Sequence, residues 1–226
     1  MIKDVAAMPS RRTSAPQTRL SVHAARQGLA PHRVFKSSDP EETRAYVVQL
    51  FDSPHRQRVV GHAGRMKARI DSVRAGNMSL SCVEYGSSVI LDQGTLPCVL
   101  VQFPTRGAID IRCGDQTVTS GPGTFIVLSP DLPVHMFRPA DTAHITLRLS
   151  RERLERFAEG LIGEPLREPI RFDLGMPADR AAGGTMFRLV HHVLSEINQP
   201  ETALSRSLTA TSLTTHPSRI IKLRLV

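Results

Sequence analysis

The period of the hydrophobic pattern changes along the chain and separates strands from helices. Between about Gly61 and Leu149 the period is near two, and turn residues return every eight to twelve positions. Short strands at this spacing are typical of an antiparallel sandwich or barrel. After Ser150 the period returns to 3.6, which indicates helices. The pattern therefore predicts an α+β fold with an antiparallel barrel or double-sheet core, followed by two or more α-helices.

Six strands stand out in the middle of the chain. They are Ser79–Glu84, Val89–Asp92, Cys98–Phe103, Ala108–Arg112, Phe125–Leu128 and His144–Leu149. In the last of these, apolar and polar residues alternate at every position. We therefore expect this strand to have one apolar face and one face in water.

Three helices are predicted outside this region. Asp39 caps a helix that begins at Pro40 and that Pro54 stops, and Ser150 caps a second helix that ends at Gly163. A third, over about 178–197, carries an apolar stripe at i, i+3, i+4 spacing, which is either core or a dimer seam. Its residues, the predicted dimerisation residues, are Met186, Leu189, Val190, Val193, Leu194 and Ile197.

The positive charge lies at the two ends of the chain. The net charge is +8 over 226 residues, but residues 1–33 carry a net +5 and residues 205–226 a net +4, so the part between them is nearly neutral. A basic isoelectric point of this origin is weak support for a DNA-binding core. We expect residues 1–33 to be a disordered basic segment, 34–200 the folded domain and 201–226 an atypical tail.

The cysteines and the hydropathy indicate a reduced compartment away from membranes. The three cysteines are odd in number and lie in apolar strands, as buried free thiols of a cytoplasmic protein do. No secretory signal and no apolar run of the length that crosses a membrane is evident.

The residue types that a metalloenzyme needs do not cluster. A metal-dependent barrel enzyme uses two histidines on one strand, a glutamate and a later histidine. His135 occupies the later position, but Cys98–Arg106 contains neither His nor Glu. His55, His62 and His144 are isolated and are expected at the surface or in turns. Nucleophile and phosphate-binding motifs are also missing, so no enzyme activity, metal or cofactor is predicted.

A small-molecule cavity remains as the candidate site. Apolar residues of several strands could line one face of a barrel, together with a few polar groups such as Gln102. The predicted lining is Tyr85, Val99, Val101, Phe103, Ile109, Ile111, Phe125, Val127 and His135. The alternative is that these side chains simply fill the barrel.

An ordered set of short motifs resembles a known family. The set includes Phe35-Lys-Ser-Ser-Asp39, Ser81-Cys-Val-Glu-Tyr85-Gly86, Gly121-Pro-Gly123, Val127-Leu-Ser-Pro130 and Leu161-Ile-Gly163-Glu-Pro165. In order and spacing, over roughly 34–197, it is similar to the N-terminal ligand-binding domain of AraC-type transcription regulators. The resemblance implies a cupin-like barrel that senses a small-molecule effector and helices that mediate dimerisation.

The resemblance also implies a C-terminal domain with two helix-turn-helix units, which the sequence does not match. Only a short segment with Pro217 and several threonines follows Leu204. We therefore expect a truncated regulator or a free-standing sensor that reaches DNA only through a partner, as a homodimer or as a heterodimer with a full-length relative. The alternatives are a small metal-dependent cupin enzyme and a module used only for protein interaction.

Overall fold

In the computed structural model, residues 29–61, 66–75 and 78–199 can be described, and they form twelve strands and three α-helices. The strands are β1 (Arg33–Ser37), β2 (His55–Val60), β3 (Ala68–Ala75), β4 (Met78–Glu84), β5 (Ser88–Gln93), β6 (Cys98–Arg106), β7 (Ile109–Cys113), β8 (Gln116–Ser120), β9 (Thr124–Leu128), β10 (Val134–Arg138), β11 (Ala143–Ser150) and β12 (Gly175–Pro177). The helices are α1 (Pro40–Phe51), α2 (Arg151–Ile162) and α3 (Ala181–Glu196). The six predicted strands and three predicted helices are all present.

The strands form two antiparallel sheets that face each other. The larger sheet has the order β1-β3-β4-β11-β6-β9-β12, and the smaller has the order β2-β5-β10-β7-β8. The chain crosses repeatedly from one sheet to the other, for example between β10 and β11. The predicted α+β class with an antiparallel double-sheet core is confirmed.

The first two helices are capped as their sequences predict. The Asp39 carboxylate accepts hydrogen bonds from the backbone N–H groups of Glu41 and Glu42, and Pro40 opens α1. The Ser150 hydroxyl accepts from the N–H of Arg153, and α2 ends at Gly163 in the left-handed conformation. Local capping chemistry therefore sets the bounds of both helices.

Two apolar clusters lie on opposite sides of the larger sheet. The inner cluster fills the space between the sheets with residues such as Leu100, Ile109 and Ile111. The outer cluster lies between the larger sheet and α3, where Phe103 and Phe125 stack with ring centroids 4.7 Å apart. Because this sheet is covered on both sides, its central strands are buried on both faces.

The apolar stripe of α3 packs mainly against the chain's own sheet. Val190, Leu194 and Ile197 are buried in the outer cluster, and Met186 and Val193 pack against it. Of the six residues predicted to form a dimer seam, only Leu189 is largely exposed, at 51%. The core interpretation of the stripe is therefore correct, and dimerisation through α3 stays a prediction.

The largest exposed apolar side chains lie on α2. Phe157, Leu161 and Ile162 are 66%, 73% and 59% exposed. No residue of α2 is buried. This helix presents an apolar face that the described residues leave uncovered.

The predicted terminal segments, 1–33 and 201–226, fall almost wholly outside the described residues, as does His62. The predicted domain bounds stay predictions. Cys82, Cys98 and Cys113 are buried and form no disulfide, as expected. Burial raises the pKa of the Cys98 and Cys113 thiols.

Candidate functional site

The structure divides the nine predicted lining residues between several surfaces. Strand β6 alternates its faces, so Val99, Val101 and Phe103 point away from the interior and belong to the outer cluster. Phe125 and Val127 of β9 do the same. The prediction that these five line the barrel is therefore wrong, because the face of the strands that carries them packs against α3.

Tyr85, Ile109 and Ile111 do lie between the two sheets, in the inner cluster. Tyr85 is 4% exposed, and burial raises the pKa of its phenol. His135 lies outside the interior: it is exposed and forms an ion pair with Asp92, its direct neighbour in the β5–β10 pairing. Only three of the nine predicted residues therefore share the interior.

Arg138 is the centre of a polar cluster inside the barrel. It ends β10 and is 2% exposed. Its Nη1 lies 2.6 Å from Nδ1 and 2.8 Å from Nε2 of His144. Its Nη2 donates to Gln102 Oε1 at 2.9 Å and approaches Met136 Sδ at 3.2 Å. We call Gln102, Met136, Arg138 and His144 the Arg138 cluster.

A row of polar residues extends this cluster across the larger sheet. Gln102 pairs with Thr146, Thr146 with Ser81, and Ser81 with Ser72 in the registers of neighbouring strands. The hydroxyls of Ser72 and Ser81 are 2.8 Å apart. Thr146 is fully buried, and its Oγ1 has no hydrogen-bond partner among the described residues.

Burial governs the charge states in the Arg138 cluster. Desolvation lowers the pKa of Arg138 to about 10, which leaves it charged at neutral pH. Desolvation, together with the positive charge of Arg138, holds the pKa of His144 well below its usual value. His144 is therefore neutral at pH 7, and one of its ring nitrogens can accept from Arg138.

A cleft opens between α1 and the smaller sheet. Its volume is about 490 Å³. Residues of α1 and of β2, β5 and their adjoining loops surround it: Arg44, Val48, Pro54, His55, Arg56, Asp92, Gln93 and Gly94. The size is within the range of small-ligand sites.

Two buried polar groups on neighbouring strands lie at this cleft. His55 and Gln93 are paired in register, and they are 7% and 8% exposed. His55 Nδ1 lies 3.1 Å from the carbonyl oxygen of Ser53. His55 Nε2 and Gln93 Oε1 have no partner among the described residues. A polar ligand or water in the cleft would satisfy them.

His55 connects the cleft electrostatically with the barrel interior. Burial lowers the pKa of His55, and the positive charges of Arg44 and Arg138 lower it further. Arg44 lines the cleft, whereas Arg138 is inside the barrel. The positive charges of both arginines therefore affect the pKa of His55.

The sequence interpretation missed most of these polar groups. His55 and His144 were expected at the surface or in turns, but both are buried. The polar face of β11 was expected in water, yet its His144 and Thr146 face the barrel interior. The alternation correctly separated the polar from the apolar residues of β11. The error was in the environment of the polar residues, which face the barrel interior and not water.

Among the residues that the structure describes, no three His, Cys, Asp or Glu side chains come together as a group that could hold a metal ion. Within the same residues, no helix is long and apolar enough to cross a membrane.

Comparison with known proteins points to one family. The AraC-binding-like domain family matches residues 43–215. The "Probable thc operon regulatory protein" of Rhodococcus erythropolis is 23% identical over 185 residues, which cover 80% of this chain and 55% of that protein. The chain thus spans about half the length of this curated relative.

A solved structure supports the fold. The crystal structure of the AraC-like transcriptional activator CuxR matches with a TM-score of 0.57 and 15% identity, covering 79% of this chain and 66% of that one. The resemblance inferred from the sequence motifs is confirmed. Because the family match extends over most of its length, the chain belongs to the AraC-binding-like domain family.

Proposed function

We propose that this domain is the effector-sensing part of an AraC-type transcription regulator and binds a small molecule inside its barrel. The observation that carries the proposal is the polar cluster between the sheets, where buried atoms of Arg138 and Thr146 lack described partners. Buried polar groups are normally hydrogen-bonded, and a bound molecule would complete them. The named relatives, a regulatory protein and a transcriptional activator, support a regulatory role.

The cleft beside α1 is the opening that we assign to the approaching effector, because the buried His55 and Gln93 line it. This open cleft of about 490 Å³ is large enough for a small polar ligand. The buried acceptors of His55 and Gln93 would form the first polar contacts for an incoming ligand. The effector would then reach Arg138, whose positive charge lowers the pKa of His55.

The domain acts in this proposal without catalysis and without a metal. The interior polar groups are an arginine, a neutral histidine, amides and hydroxyls, a set that binds but supplies neither a nucleophile–base pair nor a metal-ligand group among the described residues. Three buried cysteines that form no disulfide agree with a reducing cytoplasm.

Thermal-shift screening of the full chain tests the proposal. Sugars, amines, amides and carboxylates are added separately, and at least one class is expected to raise the melting temperature. The variant Thr146→Val, which removes the unpartnered hydroxyl at nearly constant volume, should alter this shift. Thr117→Val, the same substitution at an exposed position of edge strand β8, serves as the control. An equal shift in the wild type and both variants would place ligand binding elsewhere, and the absence of any shift would count against a sensor.

We propose that the protein pairs with a second copy, or with a full-length relative, through α2. The exposed Phe157, Leu161 and Ile162 support this, since an apolar face of this kind favours burial. Regulation through DNA would then depend on such a partner. Between the described helices α2 and α3 lies β12, and α3 packs on the sheet, so these two helices do not form a helix-turn-helix unit. A gel-shift assay that shows sequence-specific DNA binding by this chain alone would contradict the dependence on a partner.

A further inference from the structure

The charge of Arg138 has no described counter-ion. Its contacts are a neutral imidazole, an amide oxygen and a thioether. Tyr85 is also nearby, but burial raises the pKa of its phenol, so it too is uncharged at neutral pH. A buried cation without an anion is unfavourable. Asp71, by contrast, is a deeply buried charged residue whose carboxylate is paired with Arg33 and Arg69.

The unused donors around Arg138 fit an acceptor with two oxygens. Arg138 Nε is buried and has no partner among the described residues. Gln102 Oε1 already accepts from Arg138 Nη2. Thr146, beside Gln102 in the β6–β11 pairing, has an unpartnered hydroxyl. A carboxylate is an acceptor-only group with two oxygens, so one oxygen can accept from Arg138 Nε and the other from the Thr146 hydroxyl.

The number of charges favours a monoanion. His144 is neutral because its pKa is well below the usual value, so Arg138 alone brings a positive charge into the cluster. A phosphate dianion would leave one negative charge buried without compensation. The surrounding residues, among them Val83 and Ile111, are apolar and would contact a hydrocarbon body.

We propose that the effector is a small organic monocarboxylate that forms an ion pair with Arg138 inside the barrel. This inference rests on the proposed sensing function and names its ligand class. Arg56 at the cleft would attract the anion, whereas Arg44 is paired with Glu41 and Asp92 is engaged by His135.

The test compares carboxylates with their neutral amides on the full chain. Benzoate and hexanoate, with benzamide and hexanamide as matched neutral probes, are titrated by calorimetry and by thermal shift, and neutral polyols are included. We expect at least one carboxylate to bind about tenfold or more tightly than its amide. Arg138→Met should abolish this preference, and Arg58→Met, which removes an exposed charge from β2, should retain it.

Two variants protect the test against misfolding. Arg138→Met removes an uncompensated buried charge and is expected to fold. If it does not, Arg138→Lys keeps a positive charge but loses the planar fork, so carboxylate affinity should fall severalfold while the preference over amides remains. Unchanged carboxylate affinity in Arg138→Lys would overturn the proposal.

The outcomes separate the ligand class from the sensing function. A carboxylate preference that survives Arg138→Met overturns the assignment of Arg138. If only amides or polyols stabilise the protein, and Thr146→Val alters that stabilisation, the carboxylate is the wrong ligand class. The proposed sensing function would still stand. If neither charged nor neutral probes bind, both the ligand class and the proposed sensing function fail.

Discussion

Arg138 and His144 belong to different sheets and meet inside the barrel, with Arg138 Nη1 2.6 Å from His144 Nδ1. The connection between them is a turn in which the Thr142 hydroxyl donates to the carbonyl oxygen of Pro139 at 2.7 Å. Because the turn is short, two residues close in sequence join the facing sheets. The contact requires a neutral imidazole, and this requirement has a consequence for stability.

We expect acid to destabilise the fold through His144. Its folded-state pKa lies well below 6.5, so below about pH 6.5 the unfolded chain binds a proton that the folded chain does not. The free energy of unfolding should therefore fall as the pH decreases from 7 to 5, by up to about 1.4 kcal/mol per pH unit for this group. Denaturant unfolding at several pH values measures the slope.

His144→Gln should reduce that slope, because glutamine can accept from Arg138 but does not titrate. Thr146→Val, a change in the same interior without a titratable group, should keep the wild-type slope. Equal slopes in His144→Gln and the wild type would show that His144 does not cause the acid sensitivity. His55, whose pKa is also lowered by burial, would then be the next residue to replace.

The outer cluster should contribute more to stability than the exposed face of α2. Phe103 contacts Phe125 and lies 5.2 Å from the Phe187 ring of α3. Phe103→Ala should lower the free energy of unfolding by about 3–5 kcal/mol and increase amide exchange in α3. Phe157→Ala, at a site that is 66% exposed, should change it by about 0.5 kcal/mol or less. Comparable losses in the two variants would contradict the assignment of Phe103 to a packed layer.

Replacing each of two helical glycines by alanine should change the free energy of unfolding in opposite directions. A Cβ at Gly183 would lie 2.1 Å from the carbonyl oxygen of Pro177, so α3 would have to move away from β12. We expect Gly183→Ala to destabilise by about 1–3 kcal/mol. A Cβ at Gly160 in α2 meets nothing within 4 Å, and Gly160→Ala should stabilise by about 0.5–1 kcal/mol. Thermal unfolding of the two variants measures both changes. A stabilising effect of Gly183→Ala would refute the close contact with β12.

Self-association should depend on α2. Leu161→Glu places a charge at a site that is 73% exposed, and it should shift the protein toward monomer in sedimentation velocity without lowering its melting temperature. Leu189→Glu on α3 is the matched variant and should leave association unchanged. If Leu189→Glu dissociates the protein and Leu161→Glu does not, the seam is on α3 as the sequence predicted. If Leu161→Glu lowers the melting temperature of a monomer, the face is covered by the chain itself.

The helices and strands could be predicted from the sequence because capping and turn residues close by in the chain specify them. The Asp39 carboxylate and Pro40 specify the start of α1, and Ser150 and Gly163 bound α2. The strands follow from turn residues at short intervals. These signals need no knowledge of the tertiary structure.

The inside of the barrel was not predictable by the same means. In Cys98–Phe103 almost every residue is apolar, so the pattern cannot tell which face meets α3 and which meets the other sheet. In β11 the polar residues His144 and Thr146 are as deeply buried as the apolar Ile145, contrary to the usual rule. Arg138 gave no signal, because an isolated arginine at a strand end is normally solvated. Its burial depends on partners from β6 and β11.

The alternation along β6 makes the strand a mechanical link between the two layers. Gln102 contacts Arg138 in the interior, and the next residue, Phe103, contacts the aromatic rings beneath α3. Consecutive residues of a strand share one backbone, so a bound molecule that displaced Gln102 would also move Phe103. Binding in the barrel would in that case change the packing of α3 on the sheet.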